Sequence, residues 1–152
     1  MKKKIVTILL VGVIACNILA CGTSDAPSSE SSEQTEETSS TSLNDIYITL
    51  EQQKNALDDL WNKYNSQEAN AQTSAERISG LTTGINNTIQ SLETEKDCEY
   101  KEALTSLAYA YRAISERYTE YIKTNDVSEL DDADNMSKKA EEFKSQAKEY
   151  YK

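Results

Sequence analysis

The chain has 152 residues and a formal net charge of −10, a length that suits one domain. It has no histidine, so the usual general base and the commonest metal ligand are both missing, and we expect neither an enzyme nor a cofactor. Cysteine occurs only at positions 16, 21 and 98, which excludes a disulfide-rich scaffold. Such an acidic chain repels nucleic acid, so no nucleic-acid partner is expected.

The first twenty residues have the composition of a secretory signal peptide. Three lysines are followed by an apolar run from Ile5 to Ala20. A membrane-spanning anchor is the alternative, but a span needs roughly 20 apolar residues, and this run is shorter and contains Asn17. The segment 1–20 is therefore predicted to be a leader that is removed. Without it, 13 basic residues face 26 acidic ones.

The end of this leader reads Ile18-Leu19-Ala20-Cys21, followed at once by small polar residues. This stretch resembles the lipobox of bacterial lipoproteins, although Leu19 is larger than is usual there. A second match ends at Cys16, but cleavage there would leave an apolar new N-terminus. The resemblance implies cleavage before Cys21 and a diacylglyceryl group on its thiol, and two acyl chains anchor a protein stably. It also implies attachment to the outer face of the cytoplasmic membrane, as on a Gram-positive surface.

Residues 21–42 are predicted to be the lipidated cysteine and a disordered tether. From Gly22 to Ser42 there are twelve serines or threonines, five acids and no base. Such a segment cannot bury enough apolar surface to offset the loss of chain entropy.

Residues 43–152 are predicted to form an all-α domain, an antiparallel up-down bundle of helices. Apolar residues recur there every three or four positions, and no proline interrupts them. Four helices are predicted, at 44–65, 73–95, 98–124 and 128–151. The periodicity also runs through residues 92–104 without a break, so three helices with one long rod remain an alternative. Capping boxes are predicted at Thr73 with Glu76 and at Ser128 with Asp131.

Three other motifs contain residues that could carry chemistry. Cys98 lies among acidic residues and is predicted to be an unreactive thiol near a helix junction, with an intermolecular disulfide as the alternative. The acidic run Ser128 to Asp134 lacks the glycine and the final glutamate of a calcium loop and is better explained by the dipole of a helix N-terminus. Gly80 and Gly84 are predicted to permit a close helix crossing or a local bend.

Tyrosine is the commonest aromatic residue, with nine of the eleven aromatic side chains. Most tyrosines are predicted to lie at the boundary of the bundle. A partner-binding face is the functional alternative, because tyrosine and arginine are enriched at interfaces. The residues predicted to face outward for such a partner are Tyr100, Tyr109, Arg112 and Tyr151.

Two functions follow from these expectations. The first is a membrane-anchored binding or adaptor module that engages a protein or a cell-wall component. The second is a protective or immunity lipoprotein that intercepts a toxin or a cationic peptide.

Overall fold

The computed structural model describes residues 36–152, with side chains from Ser42 onward, and this part is entirely α-helices and short connections. The predicted leader, Cys21 and most of the tether lie outside the described residues. The predicted all-α bundle is confirmed. It consists of four helices: α1 (Glu36–Asn65), α2 (Ala71–Thr94), α3 (Glu99–Thr124) and α4 (Ser128–Tyr150).

Successive helices run antiparallel, joined by connections of three to five residues. The antiparallel direction is visible in the contacts between two helices: as residue numbers rise along one helix, the numbers of the residues that they contact on the next helix fall. Thr82 meets Ser115 and Asn86 meets Arg112 across α2 and α3. α3 contacts all three other helices and approaches α4 most extensively, whereas α1 and α4 have hardly any close backbone approach. α3 is therefore the central helix.

The structure differs from the prediction at the helix starts. α1 begins at Glu36, eight residues earlier than predicted. α2 is capped by Asn70, whose side-chain oxygen accepts a hydrogen bond from the Thr73 N–H at 2.8 Å, so the capping box predicted at Thr73 is wrong. Ser128 does not cap α4 either. It is the first helical residue, and its N–H and hydroxyl both donate to the Asp126 carboxylate.

The alternative of one long rod through residues 92–104 is excluded. Residues 95–98 leave the helical path, and the backbone is extended at Glu95 and at Cys98. Cys98 begins α3 by accepting a hydrogen bond at Sγ from the Lys101 N–H. The Lys101 ammonium holds the turn by donating to the Glu95 carbonyl at 2.7 Å and to Asp97. Periodicity alone could not show this break, because the interruption depends on these local hydrogen bonds.

α4 packs on α3 through small side chains. Ala133, Ala140 and Ala147 recur every seven residues along α4 and are buried. Ala103 and Ala110 are buried at the same spacing on α3. Because alanine is short, two helices that meet through it can approach at the close end of the 8–10 Å range of interaxial distances.

The two glycines of α2 are not at a close helix crossing. A Cβ atom on Gly80 would meet nothing within 4 Å. On Gly84 it would lie 3.6 Å from the flexible end of the Gln53 side chain, which is ordinary van der Waals contact. The predicted tight crossing is therefore wrong.

Candidate functional site

Eight of the nine tyrosines, together with Trp61, pack along the junction of α1, α3 and α4, which we call the tyrosine seam. They form a group near the start of α3, a single buried ring in the middle and a group around Trp61. The seam fills the space that α1 and α4 leave between them. Its tyrosines are Tyr47, Tyr64, Tyr100, Tyr111, Tyr118, Tyr121, Tyr150 and Tyr151.

Tyr100 is buried rather than facing outward, so its predicted place on an outward binding face is wrong. Only 6% of its surface is exposed. Its hydroxyl donates to the Asn44 side chain at 3.1 Å, and its ring stacks on Tyr150 with centroids 5.8 Å apart. Burial raises the pKa of Tyr100 well above its usual value. Tyr100 continues the three-four apolar repeat of α3, four residues before Leu104, and the ring of Tyr150 covers it.

Tyr111 forms the middle of the seam and is completely buried. Its hydroxyl donates to the Glu51 carboxylate at 3.0 Å, and Glu51 also pairs with Lys144 of α4. Burial, followed by the negative charge of Glu51, raises the pKa of Tyr111. A raised pKa in the folded state means that this phenol stabilises the fold fully below pH 10 and loses that contribution as the pH rises further.

Trp61 stacks face to face on Tyr118, with ring centroids 4.0 Å apart and planes within 5°. Tyr64 and Tyr121 pack against the same indole at its edges. The indole is half-buried, as the position of Trp61 on the apolar stripe of α1 predicts.

Replacing Trp61 with alanine is expected to lower the free energy of unfolding by about 2–3 kcal/mol, at or below the low end of the range for fully buried aromatics. The loss comes from the buried part of the indole and its stacking with Tyr118. Urea unfolding followed by far-UV circular dichroism measures it. A change below about 0.5 kcal/mol, the usual size of a surface substitution, would contradict a packing role for Trp61.

Tyr109 and the half-buried Arg112 form a pair on the outer side of α3. Tyr109 is 42% exposed, and the Arg112 guanidinium lies 4.8 Å from the centre of its ring. Arg112 reaches Asn86 at 3.5 Å and Glu116 at 3.6 Å, and its Nε has no hydrogen-bond partner. The pair therefore presents a flat ring at the surface with a positive charge beside it.

Tyr151 lies at the opposite end of the same face from Trp61 and is 42% exposed. Its ring lies 4.9 Å from that of Tyr47. Of the four residues predicted for partner binding, the structure therefore leaves Tyr109, Arg112 and Tyr151 accessible. It brings Tyr109 and Arg112 together and places Tyr151 in the tyrosine seam.

Two clefts open on the flanks of α3. One of about 470 Å³ lies beside α2 and is lined mostly by hydroxyl and charged side chains. Its hydroxyls are engaged locally: Thr82 and Thr119 donate to carbonyls of their own helices. The other, of about 280 Å³, lies between α3 and α4, and we call it the α3–α4 cleft. Its lining is Glu99, Glu102, Ala103, Ser106, Gln146, Glu149 and Tyr150.

Sequence patterns did not indicate the α3–α4 cleft. Its acidic residues lie near the start of α3 and near the end of α4. Glu102 and Glu149, for example, are 47 positions apart in the sequence. The seven-residue spacing of the alanines could have suggested which sides of α3 and α4 meet.

Within residues 36–152, no cluster of three or more cysteine or acidic side chains is arranged to hold a metal ion. No helix in this range is long and apolar enough to cross a membrane. The chain matches no family model, no curated protein and no solved structure.

Proposed function

We propose that the protein is a cell-envelope lipoprotein, anchored through a diacylglyceryl group on Cys21, that presents a non-catalytic helical binding domain outside the cytoplasmic membrane. The observation that carries this proposal is the change from an apolar run to small polar residues at Ile18-Leu19-Ala20-Cys21. The fold is compatible with it, because α1 begins at Glu36 and fourteen residues of sequence separate Cys21 from the start of that helix. Those residues span at most about 50 Å when extended.

Partner binding is assigned to the outer side of α3. The exposed line along this side is Glu102, Tyr109 and Glu116, at a spacing of seven residues. The Tyr109–Arg112 pair supplies the two side-chain types that most often contribute strongly to interface energy.

A second candidate function is protection, in which the domain intercepts a toxin or a cationic peptide before it reaches the membrane. The surface charge favours this candidate. From Leu43 onward the sequence holds 21 acidic and 13 basic residues. Most of the basic side chains are already held in ion pairs on the bundle.

Mass spectrometry of the mature N-terminus tests the anchor. The expected N-terminal residue is Cys21 carrying a diacylglyceryl group, and Cys21→Ser is expected to remain unprocessed or to be released from the membrane fraction. Cys16→Ser is the matched control and should leave processing unchanged. A diacylglyceryl group on Cys16, or an intact leader in the wild-type protein, contradicts the proposal.

A further inference from the structure

The α3–α4 cleft is a negatively charged depression with an aromatic wall. Glu99, Glu102 and Glu149 line it, and no lysine or arginine does so. Glu102 and Glu149 form no ion pair within the described part of the chain. A positively charged binding partner would therefore complement the negative charge of the cleft.

The aromatic wall is held in place. The Tyr150 hydroxyl donates to the Glu99 carboxylate at 2.9 Å, and the ring stacks on the buried Tyr100. Tyr150 is nevertheless 36% exposed. A ring that is already immobilised loses little side-chain entropy when a partner packs against it.

The apolar surface continues along α4 from this wall. Met136 and Phe143 are half-buried, and with Tyr150 they follow one another at intervals of seven residues, which places all three on one side of the helix. On the α3 side, Glu102 continues into Tyr109 at the same interval. Apolar side chains that recur every two helical turns match the apolar stripe of another helix.

We infer that the partner is a cationic amphipathic helix, which lays its apolar stripe along Met136, Phe143 and Tyr150 and places lysine or arginine side chains against Glu102 and Glu149. This inference rests on the proposed function, since it names the partner class of the binding domain. Two features support this occupant: the unpaired carboxylates select positive charge, and the seven-residue spacing selects a helix.

The probe is a fluorescently labelled 18-residue peptide of leucine and lysine with leucine on one helical face, titrated with the unlipidated mature chain, residues 22–152. Two comparison peptides are a scrambled sequence of the same composition and one with glutamate in place of lysine. We expect the scrambled peptide to bind at least tenfold more weakly, and we expect no measurable binding of the glutamate peptide. Equal binding of the helical and scrambled peptides would overturn the inference, because charge alone would then explain the attraction.

The protein variant is Glu102→Gln with Glu149→Gln, expected to weaken binding of the helical peptide at least tenfold. The matched control, Glu68→Gln with Glu93→Gln, removes the same charge at two exposed positions without ion pairs on other parts of the bundle. Equal weakening of peptide binding by both variants would contradict the inference, because the α3–α4 cleft would then not be the binding site. Failure of these titrations leaves anchoring at Cys21 intact, and mass spectrometry decides that question separately.

Discussion

Replacing Tyr111 with alanine is expected to lower the free energy of unfolding by about 4 kcal/mol. The ring is fully buried at the centre of the tyrosine seam, where α1, α3 and α4 converge on it. Its removal leaves a cavity that α1 and α4 cannot close, because their backbones hardly approach each other. A small domain has only about 5–15 kcal/mol of stability, so much of it depends on this ring. Urea unfolding with a circular dichroism readout measures the loss.

Two control variants separate the parts of this effect. Tyr111→Phe keeps the ring but removes the hydrogen bond to Glu51, and it should cost about 1–2 kcal/mol because Glu51 keeps its ion pair with Lys144. Tyr109→Ala makes the same deletion two residues away at an exposed position and should change stability by less than about 1 kcal/mol. Equal losses for Tyr111→Ala and Tyr109→Ala would contradict the central place of Tyr111.

The second large effect is expected from Ala140→Leu, which should destabilise the protein by about 2–3 kcal/mol. Ala140 is buried where α4 packs on α3 through small side chains, and three added carbon atoms must push the two helices apart. A thermal melt and a urea titration of the variant measure the change.

Ala56→Leu is the matched control for this prediction. It adds the same atoms to an exposed position within α1, and leucine and alanine are both good helix formers. Its stability should stay within about 0.5 kcal/mol of the wild type. If Ala140→Leu proved equally neutral, α3 and α4 would not be as closely packed as the alanine spacing indicates.

The helical fold could be predicted from the sequence because every helix carries its own three-four apolar repeat. The ends of α3 and α4 were predicted to within one residue, aided by the Lys-Thr-Asn-Asp stretch, in which Asn125 adopts the left-handed conformation that ends α3. The start of α1 was missed because the segment from Glu36 to Ser42 has the composition of a linker and no apolar repeat.

The candidate site was harder to predict, because the contacts of each side chain depend on the neighbouring helix. Tyr100 lies four residues before Leu104 in the three-four repeat of α3 and is covered by Tyr150, whereas Tyr109 lies off that repeat and is 42% exposed beside Arg112. The repeat of α3 therefore distinguishes the two tyrosines, but it does not indicate which residues cover Tyr100. The pairing of α4 with α3 supplies the ring of Tyr150, which is 50 positions away from Tyr100 along the chain, and no pattern within α3 indicates that contact.

The central position of α3 also determines when the protein can fold as it emerges residue by residue from its N-terminal end. α1 and α2 come first and can pair, but a two-helix hairpin lacks the apolar partner that α3 provides. Stable structure must therefore wait until about residue 124 is free, after which α4 can dock as the last step. Most helices that pack together in this bundle follow one another in the sequence, and the exceptions are α1 with α3 and α1 with α4. Because contacts between sequence neighbours form quickly, this late assembly should be fast.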